Sequence, residues 1–333
     1  MKIVRWSFLV PMILCWFGLV ATARAEWFSD TQAKMGTRIE VQLWHEDEAE
    51  AHRLLAAAMA EFDRIEAGMS TFRADSEISR VNDQAAAAPV PVSAELYGLV
   101  QRSLDMSALS RGAFDITFDS VGQLYDYRRG IEPGEAELAA RLPEINYRHV
   151  VLDPAEQSIH FTVPGTRINL GGIAKGYSVE RVIAQLRAAG VQHALATAGG
   201  DTRLLGDHHG APWIIGIRDP DDAGKLVTRL ALVDEAISTS GDYERFFIKD
   251  GRRVHHIIDP RTGRSASGVR SVTIVGPDAV VTEGLTKTVF IRGPEEGLEI
   301  VASVPGYEAV IVDDRHQVLF SRGFAAAGGG RDR

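Results

Sequence analysis

Arg167-Ile168-Asn169-Leu170-Gly171-Gly172-Ile173-Ala174-Lys175-Gly176, followed by Tyr177 to Gly190, decides how this chain is read. The spacing predicts a short strand over 167–170, a Gly-Gly turn, and a helix over 174–189 that Gly190 closes. Glycines at such a junction let the backbone approach a ligand, and the helix start presents unpaired N–H groups. Lys175 falls in the first helical turn, where a cation opposes the helix dipole. An anion held nearby accounts for that placement; a plain strand–helix turn is the alternative. No Gly-Lys-Ser/Thr ends the motif, and it is not G-x-G-x-x-G, so neither common phosphate loop applies.

A second stretch narrows the reading: His255-His256-Ile257-Ile258-Asp259-Pro260-Arg261-Thr262-Gly263. Pro and Gly serve a turn. Two histidines and an arginine are not needed for one. They place a proton carrier that works near neutral pH and a fixed cation at the mouth of a strand.

Outward from these motifs, strands and helices interleave irregularly. Alternation marks a strand over 38–44, and helical spacing of Leu54, Leu55, Ala58, Met59, Phe62, Ile65 and Met69 marks a helix over 51–69. Residues 82–91 read as an Ala/Pro connector. Ser93 reads as the cap of a helix carrying Leu96, Leu99, Val100 and Leu104. A hairpin is expected around Pro154, with strands 150–153 and 159–163. Further strands are expected at 194–197, 213–218, 228–233, 244–249, 254–258, 271–275, 308–312 and 317–320, and helices at 280–291 and 295–303. Without a steady βαβ alternation the class is α+β.

Lys2 and Arg5, an apolar run to Ala21 and Ala23-Arg24-Ala25 read as an export signal, so residues 1–25 are expected to be removed. An uncleaved inner-membrane anchor is the alternative. The only cysteine, Cys15, lies in this segment, so the mature chain of about 308 residues has no thiol chemistry. It forms one domain over 26–324, followed by an Ala/Gly-rich tail at 325–333 expected to be disordered. The net charge is −9, and loses Lys2, Arg5 and Arg24 on cleavage, which disfavours nucleic acid as a partner.

Other candidates each have a plain counterpart. Ala198-Gly199-Gly200-Asp201 is a backbone nest or a tight turn. Phe72 and Phe114 are walls for a flat ring or ordinary core. Ser238-Thr239-Ser240 donates to phosphate oxygens or satisfies a turn. Glu283 and Lys287 form a metal or phosphate site, or an i,i+4 pair worth roughly 0.2–0.5 kcal/mol.

Taken in order, these segments resemble the FAD:protein FMN transferase family, also called ApbE. The marks are Met35-Gly36-Thr37, Ser70-Thr71-Phe72 with Asp75 to Asn82, Ala113-Phe114-Asp115, Gly171 to Tyr177, Gly199-Gly200-Asp201, Thr239 to Tyr243 and His256 to Gly263. The resemblance implies an α+β fold with a smaller subdomain, FAD bound between the parts. It implies a periplasmic enzyme that cleaves the FAD pyrophosphate, attaches FMN to a threonine or serine of an acceptor protein and releases AMP. The acceptor would be a subunit of a membrane or periplasmic redox complex. Met35, Phe72, Ala113, Phe114, Asp115, Asn169, Lys175 and Ile258 would line the FAD site. His256 would take the acceptor's proton, and Lys175 would supply positive potential.

One departure bears on mechanism. The family places Asp and Thr, four apart on the late helix, as Mg²⁺ ligands beside a carbonyl from the Gly-Gly turn, here Gly172. This chain has Glu283 and Lys287 there. A protonated lysine cannot ligate a metal, although a glutamate can. Either Lys287 pairs with Glu283 and stands in for the ion's charge, or Mg²⁺ binds through altered ligands such as Thr286. Phe72 stands where a tyrosine is common. The rival readings are an FAD-binding or carrier protein that does not transfer, and an FAD pyrophosphatase.

Overall fold

The computed structural model describes residues 25–222 and 224–324. Apart from Ala25, the expected export signal lies outside the described residues, as does the tail from Ala325.

The chain opens with the antiparallel pair β1 (Glu26–Lys34) and β2 (Thr37–His45), then helix α1 (Glu48–Met69). Asp47 caps α1 by accepting from the Glu50 N–H, and the apolar stripe from Ala51 to Met69 is buried as its spacing predicts. Helix α2 (Glu77–Gln84), strand β3 (Val90–Pro91) and helix α3 (Ala94–Leu109) follow. Ser93 does cap α3, through the Leu96 N–H. Short helices α4 (Asp119–Gly122) and α5 (Glu135–Arg141) lead to the hairpin of β4 (Val150–Asp153) and β5 (Ser158–Phe161), then to α6 (Ala174–Ala188). Strands β6 (Ala194–Ala198), β7 (Asp201–Leu205), β8 (Trp213–Arg218), β9 (Leu226–Leu232) and β10 (Ala236–Gly241) come next. Three short strands follow, β11 (Phe246–Lys249), β12 (Arg252–His255) and β13 (Ile258–Asp259), then β14 (Arg264–Ser265) and β15 (Val269–Gly276). Helices α7 (Ala279–Arg292) and α8 (Pro294–Ala302) and strands β16 (Glu308–Asp313) and β17 (Val318–Phe320) complete the described chain. The α+β class expected from the sequence is the one found.

Eight strands form one antiparallel sheet in the order β1-β2-β6-β7-β10-β15-β16-β17. Alternation sorts its side chains between two faces. Ala194, Ala196 and Ala198 of β6 join Ile39, Val41 and Leu43 under α1 and α6, while Leu195 joins Leu204, Ile237 and Trp213 beneath the β8–β9 hairpin. Small alanines let the two helices sit close. A three-stranded sheet, β3-β5-β4, and the short helices make a smaller lobe, whose Val90, Ile159 and Phe161 belong to the same apolar cluster as Val272, Ile274 and Ile311 of the main sheet.

Four expectations are corrected. Residues 167–170 form no strand and join no sheet. Their backbone is held by side chains and a turn instead: Asn82 accepts from the Ile168 N–H at 2.8 Å and donates to the Ile168 carbonyl at 2.9 Å. Ser120 accepts from the Arg167 N–H, and the Ile116 carbonyl from the Asn169 N–H. Asn82 is thus a clamp on α2, not part of a connector. The strand expected over 254–258 breaks after His255, because the pairing changes partner from β11 to β14. Ser238-Thr239-Ser240 is neither a turn nor an exposed phosphate loop. It is the middle of β10, where Ser238 pairs with Thr282 and Ser240 with Thr286 of α7, each at 2.8 Å.

Candidate active site

The Gly171-Gly172 turn, the start of α6, the middle of α7 and the His255-His256 break converge at one place. Gly176 permits it: a Cβ there would lie 2.2 Å from the Ala279 carbonyl, so α6 can cross the start of α7 only without a side chain. The crossing presents the Gly176 N–H to Glu283 Oε2 at 2.7 Å.

Glu283 is fully buried. Its Oε1 accepts from both the Lys175 ammonium and, at 3.3 Å, the Lys287 ammonium. Lys175 also meets Asp201 Oδ2 at 2.8 Å, at the β6–β7 turn. Burial disfavours the charge on Lys175, but Asp201 and Glu283 outweigh it and hold its pKa above the ordinary lysine value. Lys287 fares differently. Burial lowers its pKa and Glu283 only partly offsets this, while Lys175 adds like-charge repulsion. Lys175 is therefore locked between two carboxylates, whereas Lys287 shares one. The methylenes of Lys287 reach the Gly172 turn, with its Cε 3.9 Å and the edge of Phe114 3.4 Å from where a Gly172 Cβ would stand.

The two histidines have separate roles. The His255 Nε2 lies 2.9 Å from the Ala266 carbonyl, and its Nδ1 accepts from the Ile257 N–H. Its ring meets Phe290 edge-on and is a satisfied core group. His256 Nδ1 is buried without a hydrogen-bond partner among the described residues. Burial, then Lys287, Arg245 and further neighbouring cations push its pKa down to about 3, so the imidazole is neutral. Arg245 was missed in the sequence. Its guanidinium donates to the Gly36 carbonyl at 2.9 Å and forms no ion pair among the described residues. The signal that could have found it is its place between the Gly-Asp-Tyr motif and the histidines.

Other expected site residues divide by what holds them. Phe72 is 93% exposed on the loop after α1, while Ala113 and Phe114 are buried. Asp115 accepts from the Thr117 N–H and hydroxyl and from the Tyr147 N–H. Burial raises its pKa against those donors. Asn169 donates to Thr71 and Asp119 and accepts from the Gly171 N–H, which fixes the turn. Met35 holds a φ of +52° at the β1–β2 turn, with its N–H on Glu66 and its sulfur near Ser178. Ile258 packs with Val121, Tyr125 and Leu138. Arg261 is not an unpaired cation, since Asp259 binds it through two oxygens.

The donor set does not suit a divalent metal. Both Glu283 oxygens are engaged by N–H donors, and an ammonium occupies the position beside it. Thr286 is directed elsewhere: its hydroxyl donates to the Glu283 carbonyl at 2.7 Å and meets Ser240. Among the described residues no group of three or more His, Cys, Asp or Glu is placed to hold a metal.

Comparison with known proteins agrees with this geometry. Residues 35–311 match the ApbE family. An FAD:protein FMN transferase of Klebsiella pneumoniae is 31% identical over 298 residues, 88% of this chain and 92% of that protein. One of Treponema pallidum is 31% identical over 331 residues, 93% and 91% respectively. The crystal structure of the ApbE protein of Thermotoga maritima has a TM-score of 0.84 at 30% identity, covering 90% of this chain and 99% of that one. The flavin transferase ApbE of Vibrio cholerae has a TM-score of 0.81 at 28% identity, covering 91% and 99%. With the match running through the Gly-Gly turn, the Glu283–Lys287 helix and the His256 break, the chain belongs to the ApbE family.

Proposed function

We propose that this protein is an FAD:protein FMN transferase. The observation that carries the reading is the buried Nδ1 of a neutral His256, unpartnered among the described residues, with two part-buried ammonium groups near it. A diphosphate needs positive potential from fixed groups, and an attacking hydroxyl needs a nearby base.

In the reaction the acceptor's threonine or serine oxygen attacks the flavin-side phosphorus of FAD. A P–O bond to the acceptor forms, the pyrophosphate P–O bond breaks, and AMP leaves with its electron pair. The hydroxyl proton passes to His256. Cations alone make His256 a weak base; the diphosphate's negative charge offsets them and raises its proton affinity. Transfer of this kind relies on positioning and charge stabilisation. Lys175 fixes Glu283 and Asp201 while adding potential. Phe72, Phe114 and Ala113 take the flavin side, together with Met35 and Ile258. Asp115 and Asn169 act as positioning residues, because their side chains are spent on backbone. The Mg²⁺ that the family resemblance implies finds no fitting donor set here, so no step is routed through it.

The reading extends to location. We propose that the reaction takes place in the periplasm, which the export features of residues 1–25 support, and that the acceptor is a subunit of a membrane or periplasmic redox complex. Among the described residues no helix is long and apolar enough to cross a membrane.

The test is intact mass of an exported acceptor domain after incubation with this protein and FAD. A gain of one FMN with stoichiometric AMP, lost in His256→Ala, is expected. FMN released free would instead identify a pyrophosphatase. Tight FAD binding with neither product would identify a carrier.

A further inference from the structure

We propose that Lys287 is a catalytic residue whose ammonium takes the place of a divalent cation on the diphosphate, so that FAD binding and FMN transfer are metal-independent. The inference rests on the transferase reading for its chemistry and on the following geometry for the assignment.

Lys175 and Lys287 meet on Glu283 Oε1, and the Arg245 carbonyl accepts from the His256 N–H at 3.1 Å, which brings a third cationic residue to the histidine. Two carboxylates, Asp201 and Glu283, oppose them. The site therefore carries one net positive charge before any ligand enters. That excess is not distributed evenly. Lys175 is consumed by both carboxylates, leaving Lys287 with a long 3.3 Å contact to an oxygen that Lys175 already engages. An ammonium has three donors, and among the described residues Lys287 has only this one hydrogen-bond partner. Its side chain runs along the Gly172 turn. The Arg245 guanidinium is tied only to the Gly36 carbonyl and has no carboxylate partner among the described residues. Lys287, whose side chain is only 16% exposed, is held there with a counter-charge that it shares, which is costly, whereas Arg245 is exposed. An entering diphosphate removes that cost and supplies acceptors for the unused donors.

A metal in the same place would meet the opposite conditions. It would have to displace an ammonium from Glu283, or lie against one, and both oppose cation entry. A lysine fills the position that a metal-dependent site needs for an oxygen ligand.

The measurements pair FAD affinity by fluorescence titration with transfer rate by mass spectrometry, on the mature chain, in EDTA and in Mg²⁺. Mn²⁺ binding is followed by electron paramagnetic resonance. For the native protein, affinity and rate are expected to be the same in both buffers, with no stoichiometric Mn²⁺ bound. Lys287→Met, which keeps volume and removes charge, is expected to weaken FAD binding about ten- to hundredfold and to lower the transfer rate about 10²–10³-fold. Lys287→Thr, which keeps a polar side chain, is expected to lose the same functions in EDTA and guards against a folding defect in the first variant. Native affinity or transfer that collapses in EDTA, or one Mn²⁺ bound per native chain, would overturn the proposal. Unchanged FAD affinity in both variants would overturn it too. If no acceptor gains FMN but native FAD affinity ignores EDTA and falls in Lys287→Met, the transferase reading fails while the ammonium assignment stands.

Discussion

Two Gly-Gly turns at the ends of neighbouring segments look alike in the sequence and do different work. At Gly199-Gly200, between β6 and β7, Gly199 has a φ of +62° and a Cβ on it would stand 2.7 Å from the Thr37 hydroxyl. A Cβ on Gly200 would stand 2.3 Å from the Thr239 carbonyl. Both glycines are demanded by packing in the middle of the main sheet. At Gly171-Gly172, Gly171 is exposed, and a Cβ on Gly172 would make only ordinary contact with Phe114 and Lys287. No packing demand explains Gly172, so its small size serves what approaches the turn. The neighbouring histidines repeat the contrast. His255 is tied to Ala266, whereas His256 keeps a free buried nitrogen. A polar or glycine motif whose needs are met inside the fold is structural; one left unmet points to a ligand.

Substitutions can break that comparison. The largest effect is expected from His256→Ala, which should lower transfer about 10²–10⁴-fold with no loss of thermal stability; a rate near native would remove His256 from the chemistry. Gly200→Val should cost about 3 kcal/mol or prevent folding, read from a denaturant midpoint. A well-tolerated valine would show that β10 can move away. His255→Ala should cost roughly 1–3 kcal/mol through the unpaired Ala266 carbonyl and the space left beside Phe290. Its transfer rate per folded molecule should stay close to native. The smallest stability effect is expected for Gly172→Ala, within about 0.5 kcal/mol of native, while FAD affinity falls about tenfold, a loss of some 1.4 kcal/mol. Equal affinity in that variant would class the two glycine turns together.

Acid titration sharpens the same contrast. The folded pKa of His256, about 3, lies below the ordinary value. Between those values the unfolded chain binds a proton that the native chain does not. Stability therefore declines as pH falls from about 6.5. His256→Ala should flatten part of that decline, measured as denaturant midpoints across the range. An unchanged slope would assign the decline to other groups.

The legible parts of the fold were those whose burial follows a simple period. The stripe on α1, the alternation on β2 and the Ser93 cap are local signals that tertiary packing then used as written. Where partners lie far away in the chain, the reading slipped. β10 was hidden because its inward positions are hydroxyls that pair with Thr282 and Thr286 across the sheet–helix interface. β7 was hidden because Asp201 and Arg203 are buried within it, and each finds its ion partner on another element. β1 was missed because an edge strand buries little on either face. Residues 167–170 read as a strand, but Asn82 and Ser120 supply the backbone partners that a neighbouring strand would have given.

By itself the sequence determined the α+β class, the turn–helix junction at Gly171 to Gly176, and the types of group available for chemistry, because these follow from short-range periodicity and residue identity. It placed Glu283 and Lys287 one turn apart and so made their pairing possible. Only the tertiary structure decided that Lys175 is shared between Asp201 and Glu283, that Thr286 is directed to β10, and that His256 rather than His255 keeps an unpartnered nitrogen. These are questions of which distant donor reaches which acceptor, and burial makes each answer energetically decisive.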